Sequence, residues 1–216
     1  MENNKGISSA VVHRLPRYYR YLSDLLHNDI SKISSKELSD MMNVTASQIR
    51  SDFNCFGEFG HQGYGYNVRR LHGELGRILG VDKNFAAVIV GAGNLGTAMA
   101  GSNLFIKRGV ALKALFDIKP EIIGRLVAGL DVLHVKDMAG FCRENKIDIA
   151  VLTLPKEETE NTANILVAAG VKAFWNFSNM ELEIKAKDSD MSDIIVENMH
   201  MGDSLTMLCY NLNNKN

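Results

Sequence analysis

The sequence predicts an α/β protein in two parts, a small, mainly helical N-terminal domain and a parallel-sheet domain, closed by a separate amphipathic helix. Three observations predict it. A run rich in β-branched residues, Ala87 to Val90, leads straight into Gly91, Ala92, Gly93, Asn94, Leu95 and Gly96, the pattern of a strand, a tight turn and a helix start. Beyond it, apolar strand-like runs alternate with helical patterns, which argues for a parallel sheet. Ahead of it, two helix-start signatures follow one another closely and are succeeded by a stretch of alternating glycines and aromatics.

Composition narrows the class. A chain of 216 residues suits one large domain or two small ones. With 46% hydrophobic and 23% charged residues it reads as an ordinary globular protein. No run approaches the ~18 apolar residues of a membrane span, and Met1-Glu2-Asn3-Asn4-Lys5 lacks the layout of a signal peptide, so a cytoplasmic protein with no membrane partner is expected. Cys55, Cys142 and Cys209 are odd in number and lack metal-ligand spacing; reduced, mostly buried thiols and no metal site are expected. The net charge of −1 conceals an asymmetry. Through Asn84 there are 11 Lys and Arg against 9 Asp and Glu, and 13 against 16 thereafter. The basic half is where the other signs of nucleic-acid binding lie.

In chain order, residues 1–8 are polar. Leu15, Tyr18, Tyr19, Leu22, Leu25 and Leu26 then recur at helical spacing and define the buried face of a first helix, with Pro16 near its beginning or at a kink. Arg14, Arg17 and Arg20 share one side of it, as a solvated face or as a contact with phosphate or a neighbouring domain. Ser34 with Glu37, and Thr45 with Gln48, form two capping boxes. The first opens a helix carrying Leu38, Met41 and Met42 inward; the second carries Ile49 and Phe53. Two helices joined by only Asn43 and Val44 suggest a helix-turn-helix. The outward face of the second shows Ser47, Gln48, Arg50, Ser51 and Asn54, side chains suited to base edges and phosphates in a major groove. Arg14, Thr45 and His61 complete the set of candidate DNA contacts. Phe56 to Tyr66 suits a hairpin, the wing of a winged helix, with His61 and Gln62 near its tip. Asn67 caps a helix through Leu71, Leu75, Ile78 and Leu79 that ends at Gly80. A winged-helix domain is therefore expected over residues 1–80, with the boundary at 81–84.

Residues 85–198 read as a Rossmann-type domain. Gly91 permits the sharp turn, Gly93 a close approach of backbone to pyrophosphate, and Gly96 close packing of helix on strand. Amides at the helix start favour phosphate. The strand Val110 to Phe116 ends in Asp117, placed to accept hydrogen bonds from an adenosine ribose and to repel a 2′- or 3′-phosphate. Further strands are expected at Ile149 to Leu154, Val171 to Trp175 and Ile194 to Glu197. Helices are expected around Leu95 to Phe105, Ala139 to Glu144 and Glu157 to Ala169. Ile118, Thr153, Leu154, Pro155 and Asn176 join the glycine turn and Asp117 as cofactor-side candidates. Over residues 199–216, Met201, Leu205, Leu208 and Leu212 make one apolar stripe that needs a partner, from this chain or another.

The sequence resembles, nearly end to end, the redox-sensing transcriptional repressors of the Rex family. The residues that carry the resemblance are Arg14 to Arg20, Ser34 to Leu38, Gln48-Ile49-Arg50, Phe56-Gly57, Gly65 to Val68, Gly91 to Gly96, Phe116-Asp117-Ile118, Ala169-Gly170-Val171 and Asn176-Phe177. The resemblance implies a homodimer that binds double-stranded operator DNA, senses the ratio of NADH to NAD, releases the DNA when NADH binds, and exchanges its C-terminal helix between subunits. Three positions depart from the family pattern. Ser51 stands where a basic residue is usual, Ser102 where a tyrosine is often found, and His200 where the terminal helix usually opens with an aspartate. An aspartate there could pair with an arginine such as Arg20 in one state only. NADH is therefore expected to release DNA more weakly than is usual in the family, with residual coupling that varies between about pH 6 and 8. The alternative is that Asp203 does this work one turn later.

Two other readings are open. One is a regulator responding to another nucleotide, such as coenzyme A. The other is an NAD-dependent dehydrogenase, against which stand the absence of a substrate domain after the last strand and the scatter of His72, His134 and His200.

Overall fold

The structure, a computed structural model, describes residues 7–57, 60–61, 65–184 and 194–215. It divides into two compact units, residues 1–82 and 83–216.

In the first unit, α1 (Ser9–His27) begins where the Ser8 hydroxyl accepts from the Val11 amide. The helix therefore starts a full two turns before Pro16 and runs through it. The amide that proline lacks would have met the carbonyl of Val12, on the exposed side of the helix. Leu15, Tyr18 and Leu22 are fully buried, with Tyr19 and Leu25 beside them, while Leu26 lies half out of the core. The strand β1 (Lys32–Ile33), absent from the sequence reading, precedes α2 (Ser35–Met42), whose cap is a complete Ser34–Glu37 box. Asn43 takes a left-handed conformation, φ 53°, which lets α3 (Ala46–Asn54) follow at once. At its start only half of the expected box forms. Thr45 Oγ1 accepts from the Gln48 amide, but the Gln48 side chain turns instead to Asp52.

Strands β2 (Gly60–His61) and β3 (Gly65–Asn67) are antiparallel, and β3 also pairs with β1, giving the order β1-β3-β2. The hairpin tip, with Gln62, lies outside the described residues. Asn67 then caps α4 (Val68–Ile78) through the Arg70 amide. Met41 and Ile78, expected inside, are exposed. The inward places next to them go to Ser39 and to Gly76, where α4 lies so close to α1 that a Cβ would come 3.3 Å from the Tyr19 ring.

The second unit comprises β4 (Phe85–Val90), α5 (Asn94–Ala100), β5 (Val110–Asp117), β6 (Leu126–Val127), β7 (Leu130–His134), α6 (Met138–Glu144), β8 (Ile149–Leu152), α7 (Lys156–Ala168), β9 (Ala173–Asn176), β10 (Ile195–Asn198) and α8 (Met201–Asn213). One sheet takes the order β10-β9-β8-β4-β5-β7-β6, parallel except for the β6–β7 hairpin. The alternation along β4 fills both faces. Val88 and Val90 pack in a cluster with Met138 and Cys142 of α6 and Ala163 and Leu166 of α7, while Ile89 packs with Met99 and Ala100 of α5.

Several bounds differ from those expected. Helix α5 stops at Ala100, not Phe105: past its cap Gly101 the chain turns at Ser102, whose hydroxyl donates to the Met99 carbonyl and accepts from the Leu104 amide. Strand β8 stops at Leu152: Thr153 turns its hydroxyl onto the Gly91 carbonyl, and Pro155 follows. Strands β6 and β7 were not foreseen; they are joined by Ala128 and Gly129, both at positive φ, the geometry of a tight hairpin. Of the three thiols only Cys142 is buried, and that burial pushes its pKa up to about 11; Cys55 and Cys209 are exposed, contrary to expectation. Helix α8 is exposed along its whole length, including Leu205 and Leu208 at 63% each.

Candidate functional site

The order of the sheet reverses between β4 and β8, and in such sheets ligands bind outside the carboxyl ends of the strands at that reversal. The glycine turn lies there. Phe116, Val90, Leu152, Asn176 and Asn198 stand in one register row across five strands. Next along each strand come Asp117, Gly91, Thr153, Phe177 and Met199.

The three glycines are required for three different reasons. Gly91 has φ 104°, and a Cβ on it would come 2.5 Å from the Thr153 carbonyl oxygen. Gly96 lies under the turn, where a Cβ would come 2.0 Å from the Gly91 carbonyl oxygen. Gly93 has nothing within 4 Å of that position, which is the open approach a phosphate needs. The residues present thus fit a dinucleotide: the turn is closed from beneath and open above.

Asp117 does more than the sequence suggested. Its Oδ2 accepts from the Ala92 amide at 2.8 Å, and its Oδ1 from the amides of Ile118 at 2.7 Å and Lys119 at 3.0 Å. The carboxylate therefore pins the glycine turn to the end of β5 before any ligand arrives. Thr153 Oγ1 donates to the Gly91 carbonyl at 2.7 Å and so ties β8 to the same turn. Asn94, Ile118 and Pro155 are exposed, and Leu95 and Leu154 half-buried, around it.

Asn176 is fully buried and serves as a joint. Its Oδ1 accepts from the Ser178 amide and hydroxyl, and its Nδ2 donates to Asn198 Oδ1 at 2.8 Å. Asn198 Nδ2 donates to Glu181 Oε2 at 2.9 Å, and Glu181 Oε1 meets His200 Nε2 at 2.9 Å. A polar chain thus runs from the end of β9 to the residue that opens α8. His200 occupies the N-cap position of α8 without capping it, being held by Glu181 instead. Asp203 lies in the first turn of α8, exposed. Ser102 is exposed, its hydroxyl donating to the Met99 carbonyl. Neither Glu181 nor Asn198 carries a local sequence signal; the sheet register brings them together.

In the first unit the residues expected to face DNA separate into two groups. Ser47, Gln48, Arg50, Ser51 and Asn54 are exposed on α3, and Thr45 at its cap. Arg50 Nη1 donates to Ser35 Oγ at 3.0 Å. The backbone of His61 lies in β2. Arg14 belongs elsewhere: its Nε and Nη2 make a two-pronged pair with Asp52, both at 2.7 Å, so it is a strut between α1 and α3. Arg17 donates to the Met42 carbonyl, and both Arg17 and Arg20 lie over the Tyr21 ring. The three arginines therefore do not form one free face.

Asp52, which sequence reading passed over, is the centre of this arrangement. It is fully buried and also accepts from the Tyr18 hydroxyl and from Gln48 Nε2, each at 2.7 Å. Burial opposes its ionisation, but the donors from Arg14, Tyr18 and Gln48 outweigh that and hold its carboxyl below the usual range. Burial and the same carboxylate hold the Tyr18 hydroxyl protonated. A signal did exist: an acid next to Phe53, on the inward side of an otherwise ordinary amphipathic helix.

Among the described residues, no group of His, Cys, Asp and Glu could hold a metal ion, and no helix is long and apolar enough to cross a membrane.

Comparison with known proteins covers both units. Residues 6–54 match the family model "Putative DNA-binding protein N-terminus", and residues 82–180 match "CoA binding domain". The redox-sensing transcriptional repressor Rex of Thermoanaerobacter pseudethanolicus is 48% identical over 99% of this chain and 92% of its own. The crystal structure of RSP in complex with β-NAD+ and operator DNA matches at 49% identity and a TM-score of 0.89, over 97% of this chain and 94% of the other. The crystal structure of RSP in complex with β-NADH matches at 46% identity and a TM-score of 0.86, over 98% and 97%.

Proposed function

This chain belongs to the Rex family of redox-sensing transcriptional repressors, and from that premise we propose how its residues divide the work of sensing and binding. It is a regulator, not an enzyme. The first unit binds double-stranded operator DNA, with α3 in the major groove and the β2–β3 wing beside it. The second unit binds NAD and NADH at the glycine turn, with Gly93 admitting the pyrophosphate and Asp117 at the ribose. The bound dinucleotide supplies a nicotinamide ring whose charge differs between its oxidised and reduced forms. A repressor that acts on DNA in this way works in the cytoplasm.

The observation that carries this reading is the pair of RSP complexes, one with NAD+ on operator DNA and one with NADH, both superposable on nearly the whole of this chain. The protein acts as a homodimer. Helix α8, exposed and striped with Met201, Leu205, Leu208 and Leu212, packs on the second subunit, and each winged helix takes one half of a palindrome. Half-sites then lie about 34 Å, or a multiple of it, apart along the duplex. Release follows if NADH and NAD+ differ in affinity for the bound and released forms, a coupling typically worth about 1–3 kcal/mol.

The match to a coenzyme A model does not favour that ligand, since the matched segment is the nucleotide-binding turn and sheet common to both. Asp117, fixed and acidic beside the turn, would meet the 3′-phosphate of coenzyme A as a like charge. Titrating operator binding against NADH, NAD+, NADPH and coenzyme A tests the reading. Weaker operator binding with NADH than with NAD+ is expected, and an equal response to all four would refute it.

A further inference from the structure

We propose that Gln48 reads one base pair in each operator half-site, and that Asp52 fixes which edge of the Gln48 amide does the reading, so that adenine is selected there and guanine refused. The inference rests on the placement of α3 in the major groove given above, and deepens it.

The oxygen and nitrogen of an amide are interchangeable in shape, so its orientation has to be decided by its partners. Here the partner decides it. An ionised carboxylate only accepts hydrogen bonds, so the Gln48 atom 2.7 Å from Asp52 Oδ1 must be the nitrogen. The carboxylate itself has no freedom to move. Oδ2 takes Arg14 Nε and the Tyr18 hydroxyl, and Oδ1 takes Arg14 Nη2 and Gln48 Nε2, so each oxygen has two donors. A flipped Gln48 would lose its bond and set Oε1 against that negative oxygen. The reciprocal capping bond to Thr45, which could have claimed the side chain, is not made.

Gln48 is exposed near the start of α3, where residues of a recognition helix reach base edges. What it presents is the carbonyl Oε1 and the one remaining N–H. Adenine offers the complement in the major groove, a donor at N6 and an acceptor at N7. Guanine offers two acceptors, O6 and N7, and so sets oxygen against oxygen. Arg50, on the same helix, is the residue equipped for guanine. Asp52 is thus a positioning residue that touches no base.

The test uses the full chain and an operator selected by it from a random pool of duplexes. Each base pair of a half-site is exchanged in turn, and competition measures the affinity. At one position, A·T to G·C is expected to weaken binding roughly 5- to 150-fold. Gln48→Met should abolish the discrimination at that position alone, leaving the salt dependence and the other positions unchanged. Asp52→Asn, which lets the amide turn, should narrow the same preference without a uniform loss. Because Asp52→Asn also breaks the buried pair with Arg14, the side-chain amide spectrum of the wild-type protein provides a second measurement that needs no variant. One Gln48 Nε2 proton should be shifted and protected from exchange. Unchanged discrimination in Gln48→Met, or Gln48 amide protons like those of a free glutamine, would overturn the inference. Failure of the wild-type protein to select any sequence would instead refute the functional reading beneath it.

Discussion

Two glycines of the same turn carry opposite predictions. A methyl on Gly96 would come 2.0 Å from the Gly91 carbonyl oxygen, a backbone atom that cannot swing away. Gly96→Ala should therefore lower stability by about 1–3 kcal/mol or more, the range for overpacking, as measured by denaturant unfolding. A methyl on Gly93 meets nothing within 4 Å. Gly93→Ala should unfold within about 0.5 kcal/mol of wild type, as for a surface change, yet bind NADH more weakly by calorimetry. Equal effects of the two on stability would contradict the assignment of their roles. Asp117 yields a third prediction. Three backbone amides immobilise its carboxylate, so a 2′-phosphate cannot push it aside. A like-charge pair at about 4 Å costs roughly 4 kcal/mol at an effective dielectric near 20, and even a third of that is about tenfold. NADPH should bind at least about tenfold more weakly than NADH, and equal dissociation constants would remove Asp117 from the ribose.

At the scale of elements, α1 and α3 are joined through one buried acid. The carboxyl of Asp52 is held low in the folded state, so the stability it contributes is fully present above its unfolded pKa of about 3.9 and is lost as pH falls through the lower folded value. A second group works in the same direction at higher pH. His72 on α4 is stacked on Tyr19 of α1 and bonded to Ser23, and burial lowers its pKa. The unfolded chain therefore binds its proton first, and stability should decline as pH falls below about 6.5. Thermal melts of the whole chain between pH 7.5 and 5, with His72→Gln as the comparison, check this; a wild-type profile matching the variant would exclude His72. On the outer side of α3, Arg50→Ala should cost about 1–3 kcal/mol of operator affinity. Undiminished binding would place the recognition surface elsewhere.

For the whole molecule the decisive element is α8. Six large apolar side chains on it, Met201, Leu205, Met207, Leu208, Tyr210 and Leu212, are each at least 59% exposed. Contiguous apolar surface of this kind marks an interaction site. Among the described residues, its one side-chain hydrogen bond to the rest of the unit runs from its N-cap residue, His200, to Glu181 in the segment that follows β9. Removing the chain after Asn198 should dissociate the homodimer in sedimentation and uncover its receiving groove. A soluble, unchanged dimer would show that α8 is not the interface. The Asn176–Asn198–Glu181–His200 chain also bears on the departure at position 200. His200 stands beside an acid from outside α8, the Glu181 carboxylate, 2.9 Å from its ring.

The two-part plan, the Ser34–Glu37 and Asn67 caps, the glycine turn and the exposed face of α3 were legible in the sequence, because each is written in residues only a few positions apart. Periodicity reports which face of a helix is apolar, and turn chemistry reports where the chain bends. The sequence also placed Asp117 at the end of its strand, but not its grip on the turn, since Ala92 lies 25 residues away. The packing of α1 against α3 sets the pairing of Arg14 with Asp52 across 38 residues, and with it the capture of Gln48 from its cap. The sheet register likewise leads from Asn198 through Glu181 to His200. The physical reason is the same in each case. A hydrogen bond acts over about 3 Å in space and is indifferent to separation along the chain, so buried polar partners are chosen by how the elements pack.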